Sequence, residues 1–413
     1  MDVEIRTPSR IYSGQTAIRE DKHKIVNVGQ MSNISSATFA DSKPHYQILN
    51  GLRGIAALIV IGYHIFEAFA TSPADQQFNH GYLAVDFFFI LSGFVIGYAY
   101  DDRWKSMETR NFITRRLIRL QPMVITGAVL GAITFFMQGS EKWDGTPVAP
   151  LLVMFALLLH IFLIPAVPGT GAEVRGNGEM YPLNGPSWSL FFEYIGNLLY
   201  AFFLRRLSTR ALATLVALAG VGLASFAIGN LSGFGHLGVG WTLADYNLLG
   251  GFLRLLFAFS AGLLLSRVFK PVHITGAFWK CSLVIVVLLS MPYIGNGNSP
   301  WMNGIYDAVC TIAIFPMLVY LGASGKITGK FTVGMCKFLG DISYPLYMVH
   351  YPFMYLFYSF VWKKELTFAQ TWPFAFILLF GNILVAYLCL KMIDEPARKY
   401  LTKRFLQIKK DGH

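Results

Sequence analysis

The stretch LNGLRGIAALIVIGYHIFEAFA, Leu49 to Ala70, decides the fold. It matches the ~20 apolar residues that carry a helix across a bilayer. Yet it holds Arg53, His64 and Glu67. Ionisable groups in a span are costly, face the bundle interior and mark functional pathways. Arg53 and His64 are eleven positions apart, so at ~100° per residue they share one helix face, ~16 Å apart along the axis. Glu67 follows His64 at i+3, within reach of it.

The same greasy character runs through the chain. Of 413 residues, 54% are hydrophobic and 14% charged, with a mean hydropathy of +0.48. A soluble protein carries about a quarter charged residues. The expected fold is all-α and polytopic. The ~10-residue alternating segments of a membrane β-barrel are missing. Apolar spans lie near 48–70, 82–100, 120–138, 149–166, 188–204, 211–229, 248–266, 278–293, 304–322, 338–362 and 371–393.

If all eleven cross from an inside N-terminus, Lys and Arg divide 15 inside against 16 outside. If 149–166 is a re-entrant or interfacial piece instead, the division is 27 inside against 4 outside. The positive-inside rule selects the second arrangement. It gives about ten crossing helices, both termini cytosolic, and a long Gly/Pro-rich outer excursion over 139–187. The net charge of +11 is then explained by cytosolic loops, with no need for nucleic acid.

Residues 1–45 read as a mobile cytosolic tail, 46–396 as the membrane domain and 397–413 as a basic cytosolic tail. The polar leader carries no cleavable signal pattern. Cys281, Cys310, Cys336 and Cys389 show no CxxC or Cys/His spacing, so neither a zinc site nor a disulfide framework is expected. Gly93 and Gly97, and more loosely Ser260 with Gly262, suit close helix packing.

Other spans carry polar groups too. Asp86 opens the second, level with His64 in this arrangement, where a carboxylate would fix the imidazole tautomer. Arg115, Arg116 and Arg119 close the next cytosolic loop in TRRLIRLQP, a cluster suited to phosphate. In GPSWSLFFEYIGN, Ser189, Glu193 and Asn197 repeat at i+4, with Trp188 at the interface and Glu193 at a depth like that of His64. In LGDISYPLYMVHYP, Ser343, Tyr347 and His350 share a face, and Pro345 and Pro352 free backbone carbonyls.

Six pieces in order resemble the acyltransferase 3 family of integral-membrane O-acyltransferases: Arg53 with His64, VDFFFILSGF, RRLIRLQP, PSWSLFFEY, LGDISYPLYMVH and DEPARKY. The resemblance covers roughly residues 46 to 400. It implies transfer of an acyl group, commonly acetyl, from cytosolic acyl-CoA to a hydroxyl of an envelope carbohydrate, at the bacterial inner membrane. The family's first-helix arginine and histidine match Arg53 and His64, its cytosolic arginine pair Arg116 and Arg119, and its glutamate Glu193.

Acyl transfer needs a base and oxyanion donors. His64 is the expected base, with Asp86 or Glu193 to orient it. Arg53 would hold the pantetheine or pyrophosphate, or polarise the thioester. Arg115, Arg116 and Arg119 would hold CoA phosphates. Trp188, Ser189, Ser343, Tyr347 and His350 are the expected acceptor contacts, and Ser343 or His350 would serve if a covalent acyl-enzyme forms. No metal or bound cofactor is expected. The main alternative is a transporter using the same polar residues, although no inverted repeat is visible. Dependence on acyl-CoA separates the two.

Overall fold

The structure, a computed structural model, describes residues 46–406. The tail read over 1–45 and the last residues of the C-terminal tail lie outside the described residues. Thirteen α-helices follow one another among the described residues. They are α1 (Gln47–Glu67), α2 (Ala84–Tyr100), α3 (Thr109–Gln138), α4 (Pro150–Ile161), α5 (Ser187–Phe202), α6 (Thr209–Ile228) and α7 (Asp245–Val268). Then come α8 (Ala277–Ser290), α9 (Pro300–Val309), α10 (Phe315–Ser324), α11 (Lys330–Lys363), α12 (Phe368–Cys389) and α13 (Glu395–Leu406). One π-turn, Cys310–Ile314, joins α9 to α10, and another, Leu390–Asp394, joins α12 to α13. No β-strand forms among the described residues.

Every apolar run of the sequence is a helix. Seven are long and apolar enough to cross a membrane, against the ten expected. They include the joined α9–α10 and α12–α13. Helix α4 has only 12 residues and α8 only 14. At 1.5 Å per residue, α4 is ~18 Å long, well short of the ~30 Å hydrocarbon core. Leu218 and Val221 on α6 and Ile377 and Phe380 on α12 are exposed, where a soluble protein's helices carry charge. These apolar helices and exposed apolar faces belong to an integral membrane protein.

Two helix pairs build the centre. Helix α2 packs on α7 through small residues: a Cβ on Gly93 would lie 2.0 Å from the Phe259 carbonyl oxygen, and one on Gly262 would lie 2.0 Å from that of Ile90. Helix α1 packs parallel to α11, so its polar face meets Ser343, Tyr347 and His350. We call the end where α1, α3 and α11 begin proximal, and the other end distal. Arg267 bonds Asp101 at 2.7 Å at the proximal end, and Lys363 bonds Glu141 at 2.8 Å at the distal end.

The chain between α3 and α5 returns into the bundle. The Gln121 amide of α3 donates to the Ile161 carbonyl at the end of α4 at 2.5 Å. His160 and Ser187 bond at 2.9 Å, so α4 ends where α5 begins. That meeting point lies 17 residues, ~25 Å, from the distal end of α3. Helix α5 therefore starts deep in the bundle. Pro352 has no N–H for the Met348 carbonyl, and the Asn184 side chain takes that carbonyl at 2.7 Å. Gly127 on α3 leaves the room for this bond: a Cβ there would lie 2.5 Å from the Met348 oxygen and 2.6 Å from Asn184 Nδ2.

Candidate active site

Helix α1 brings His64 and Glu67 together one turn apart. His64 Nδ1 lies 2.7 Å from Glu67 Oε2. The same carboxylate oxygen accepts from the Tyr358 hydroxyl at 2.7 Å, and that hydroxyl is also 3.0 Å from the His64 carbonyl. A carboxylate only accepts, so Nδ1 carries a proton, and in the neutral ring Nε2 keeps its lone pair. Nε2 makes no hydrogen bond among the described residues. The ring stands edge-on to Tyr351 at 4.7 Å and near His350 at 5.6 Å. His350 donates Nδ1–H to the Leu346 and Tyr347 carbonyls, and its buried Nε2 has no partner among the described residues.

His64 and Glu67 line a distal cavity of about 420 Å³. Its walls come from α1, α11, the 177–188 segment and the 234–241 loop. Trp143, Trp188, Trp241, Trp362 and tyrosines 63, 82, 347, 351, 355 and 358 are part of the lining. Such rings offer apolar faces with polar tips, which suits a ligand that is itself amphipathic. Glu179 also faces the cavity and takes the Tyr355 hydroxyl. Burial pushes its carboxyl up to about 7, against the opposing pull of Tyr355 and Arg175. Burial, with Arg254 nearby, lowers His236 to about 4.

A buried frame holds this wall. Asp86 and Arg254 are fully buried and paired at 2.7 Å. Arg254 also donates to the Val239 carbonyl at 2.7 Å and the Tyr82 carbonyl at 2.8 Å, with Trp188 5.2 Å above it. Asp307 accepts from Tyr82 at 2.9 Å and from the Leu237 amide at 2.8 Å. Loop 234–241 is thus anchored on both sides. Asp86 does not reach His64: Arg254 takes it, and Glu67 is the carboxylate on the imidazole. A buried arginine forces this, because it must be paired.

Glu193 is likewise not level with His64. Because α5 starts deep, Glu193 lies in the proximal half, bonded to Arg116 at 2.9 Å and to Ser92 at 3.1 Å. Arg53 is near it, with Nε donating to Ser343 Oγ at 2.8 Å and Nη2 to the Gly340 carbonyl at 3.3 Å. Ser343 donates in turn to Gly340. One turn on, Tyr347 bonds Ser189 at 2.8 Å. Arg119, half-buried beside these groups, makes no hydrogen bond or ion pair among the described residues. Arg115 does have a partner. The π-turn at Leu390–Asp394 aims Asp394 at Arg398, 2.6 Å away.

The site is therefore two polar clusters on the α1–α11 seam: proximal, around Arg53, Arg116, Arg119, Glu193 and Ser343, and distal, around His64, Glu67 and the cavity. Of the expected acceptor contacts, Trp188 and Tyr347 line the cavity, whereas Ser189 and His350 are outside its lining and Ser343 belongs to the proximal cluster. Glu179, Tyr351, Tyr355, Tyr358, Trp143 and Trp241 escaped the sequence reading. Three of these tyrosines repeat at 351, 355 and 358, a helical spacing that was visible.

The chain resembles known proteins. A family profile described as "Acyltransferase domain" matches residues 46–391. "Protein 2 in picA locus" of Rhizobium radiobacter is 34% identical over 37% of this chain and 80% of its own length. "Acyltransferase MdmB" of Streptomyces mycarofaciens is 32% identical over 35% of this chain and 36% of its own. A "Putative O-acetyltransferase" of Staphylococcus aureus (strain COL) is 24% identical over 85% of this chain and 57% of its own. The match thus spans little more than half of the last relative and about a third of the second. No solved structure matches the chain. The matched profile covers most of the chain, which belongs to the acyltransferase 3 family.

Proposed function

We propose that this O-acyltransferase takes its acyl group from acyl-CoA at the proximal end and places it on a carbohydrate hydroxyl in the distal cavity. The observation that carries the reading is the His64–Glu67 pair, which in the neutral ring leaves the Nε2 lone pair beside the cavity. The proximal end is assigned to the cytosolic side of a bacterial inner membrane, an orientation that the distribution of Lys and Arg supports. Acetyl is the favoured group.

His64 Nε2 removes the proton of the acceptor hydroxyl as its oxygen attacks the thioester carbonyl. Glu67 steadies the imidazolium that forms. The tetrahedral oxyanion needs a donor. The Tyr351 hydroxyl, without a hydrogen bond among the described residues and next to the His64 ring, is the assigned one. Collapse breaks the C–S bond, and the proton on His64 passes to the CoA thiolate. The ester leaves on the acceptor. Direct transfer uses the acceptor oxygen as the nucleophile and needs none from the protein, and Ser343 is committed to Arg53.

The ~16 Å between Arg53 and His64 is spanned by the pantetheine arm, with Arg53 along it and Arg119 as a free cation for CoA phosphate. Arg116 is held by Glu193, which fixes its guanidinium at the proximal mouth. The test is transfer by the purified full chain in proteoliposomes, given radiolabelled acetyl-CoA on one side and envelope glycans on the other. Base-labile label on the glycan, dependent on acyl-CoA, is expected. Glycan translocation without acylation would overturn the reading in favour of transport.

A further inference from the structure

The charge of the distal cavity is lopsided. Its lining among the described residues includes Glu67 and Glu179 and no lysine or arginine. Two arginines stand behind the lining, and neither reaches in. Arg254 is fully buried and held by Asp86 behind Trp188. Arg175 is also fully buried, with the Tyr355 ring 3.4 Å from its Cζ. Its Nε donates to the Pro182 carbonyl at 2.6 Å and its Nη1 to Gln138 at 2.8 Å; its Nη2 is buried, with no partner among the described residues. Glu67 is used by His64 and Tyr358. Glu179 is bonded to Tyr355 and contributes to the cavity wall.

An acceptor bearing a carboxylate or phosphate would bring an anion into an aromatic cavity whose basic side chains among the described residues are His64, already paired with Glu67, and His236, lowered to about 4 by burial. Unpaired buried charge is strongly disfavoured, and like-charge contact is a common device of selectivity. A neutral sugar meets no such penalty: its hydroxyls can donate to carboxylate oxygens and its C–H faces can lie on the rings. We infer that the cavity takes an uncharged glycosyl unit, and that Glu179 sets this selection by accepting from an acceptor hydroxyl and repelling acidic sugars. The inference rests on the cavity being the acceptor site.

Burial raises the Glu179 carboxyl to about 7, so its charge is present above that pH and lost below it. The groups that act on it are Tyr355, Arg175, Asn177 and Glu67. The test uses the purified full chain in nanodiscs and follows tryptophan fluorescence. The probes are methyl glycosides of neutral hexoses and of the matching uronic acids. At pH 8 the neutral series should bind at least tenfold tighter than the uronates. The gap should shrink at pH 6. In Glu179→Gln it should be small at both pH values. The wild-type pH series needs no variant and guards against a folding defect in Glu179→Gln. Equal or tighter uronate binding at pH 8 overturns the charge selection alone. A gap indifferent to both pH and Glu179→Gln overturns the role of Glu179. Binding of neither series overturns the acceptor-site reading itself.

Discussion

Glu67→Gln isolates the electrostatic part of the proposed base. The side chain keeps its shape but loses its charge at 2.7 Å from His64 Nδ1. Hydrogen bonds to charged groups contribute about 1.5–3 kcal/mol. The Glu67 side chain is 36% exposed, so water screens it, and the lower part of that range applies. A loss of about 1.5–2 kcal/mol in the transition state, where the imidazolium forms, slows turnover roughly 10- to 30-fold. The KM for acyl-CoA should stay near wild type, because Glu67 is distal to the proposed donor site. The assay is initial-rate acetyl transfer by purified protein, with unfolding midpoints as a control. A double variant with His64→Ala should be no slower than His64→Ala alone, since residues acting as one unit are non-additive. Wild-type turnover in Glu67→Gln, or additive losses in the double variant, would refute the dyad.

Arg119→Ala should raise the KM for acyl-CoA several-fold with little change in kcat, since it removes a binding charge and no reacting group; an unchanged KM excludes Arg119 from the donor site. Asp86→Asn leaves the Arg254 charge buried without its counter-ion, and breaking such a pair costs about 3–5 kcal/mol. The unfolding midpoint in detergent should fall sharply, whereas a midpoint at the wild-type value would contradict the structural role. Gly127→Ala drives a methyl against the Asn184–Met348 bond and should cost about 1–3 kcal/mol through overpacking; unchanged stability would mean that α3 and α11 are not packed as described.

Much of this was legible in the sequence because it lies along single helices. Arg53, His64 and Glu67 are set by α1 alone, and Ser343, Tyr347 and His350 by α11 alone. Helical periodicity places each set on one face. Pro352 announced a free carbonyl, although not that Asn184 would take it. Partners chosen across the bundle were not legible. Asp86 was matched to His64 by depth, yet Arg254 from α7 claims it. Glu193 was placed too far outward because α5 was counted from the outer surface. The segment before it descends into the bundle, so α5 starts near mid-depth. The cavity wall draws Trp143, Glu179, Trp188, His236 and Trp241 from separate segments, and no periodicity links them. Seven helices are long and apolar enough to cross, against the ten expected, and apolar content does not report how deep a shorter helix such as α8 reaches.

The most direct test of the central claim compares wild type and His64→Ala at matched amounts of folded protein, with radiolabelled acetyl-CoA and envelope glycan. General-base catalysis by a positioned side chain contributes about 10²- to 10⁴-fold. A loss of that size in label transfer, with donor and acceptor binding retained, is the expected result. Turnover by His64→Ala within a few-fold of wild type would contradict the claim that His64 is the base.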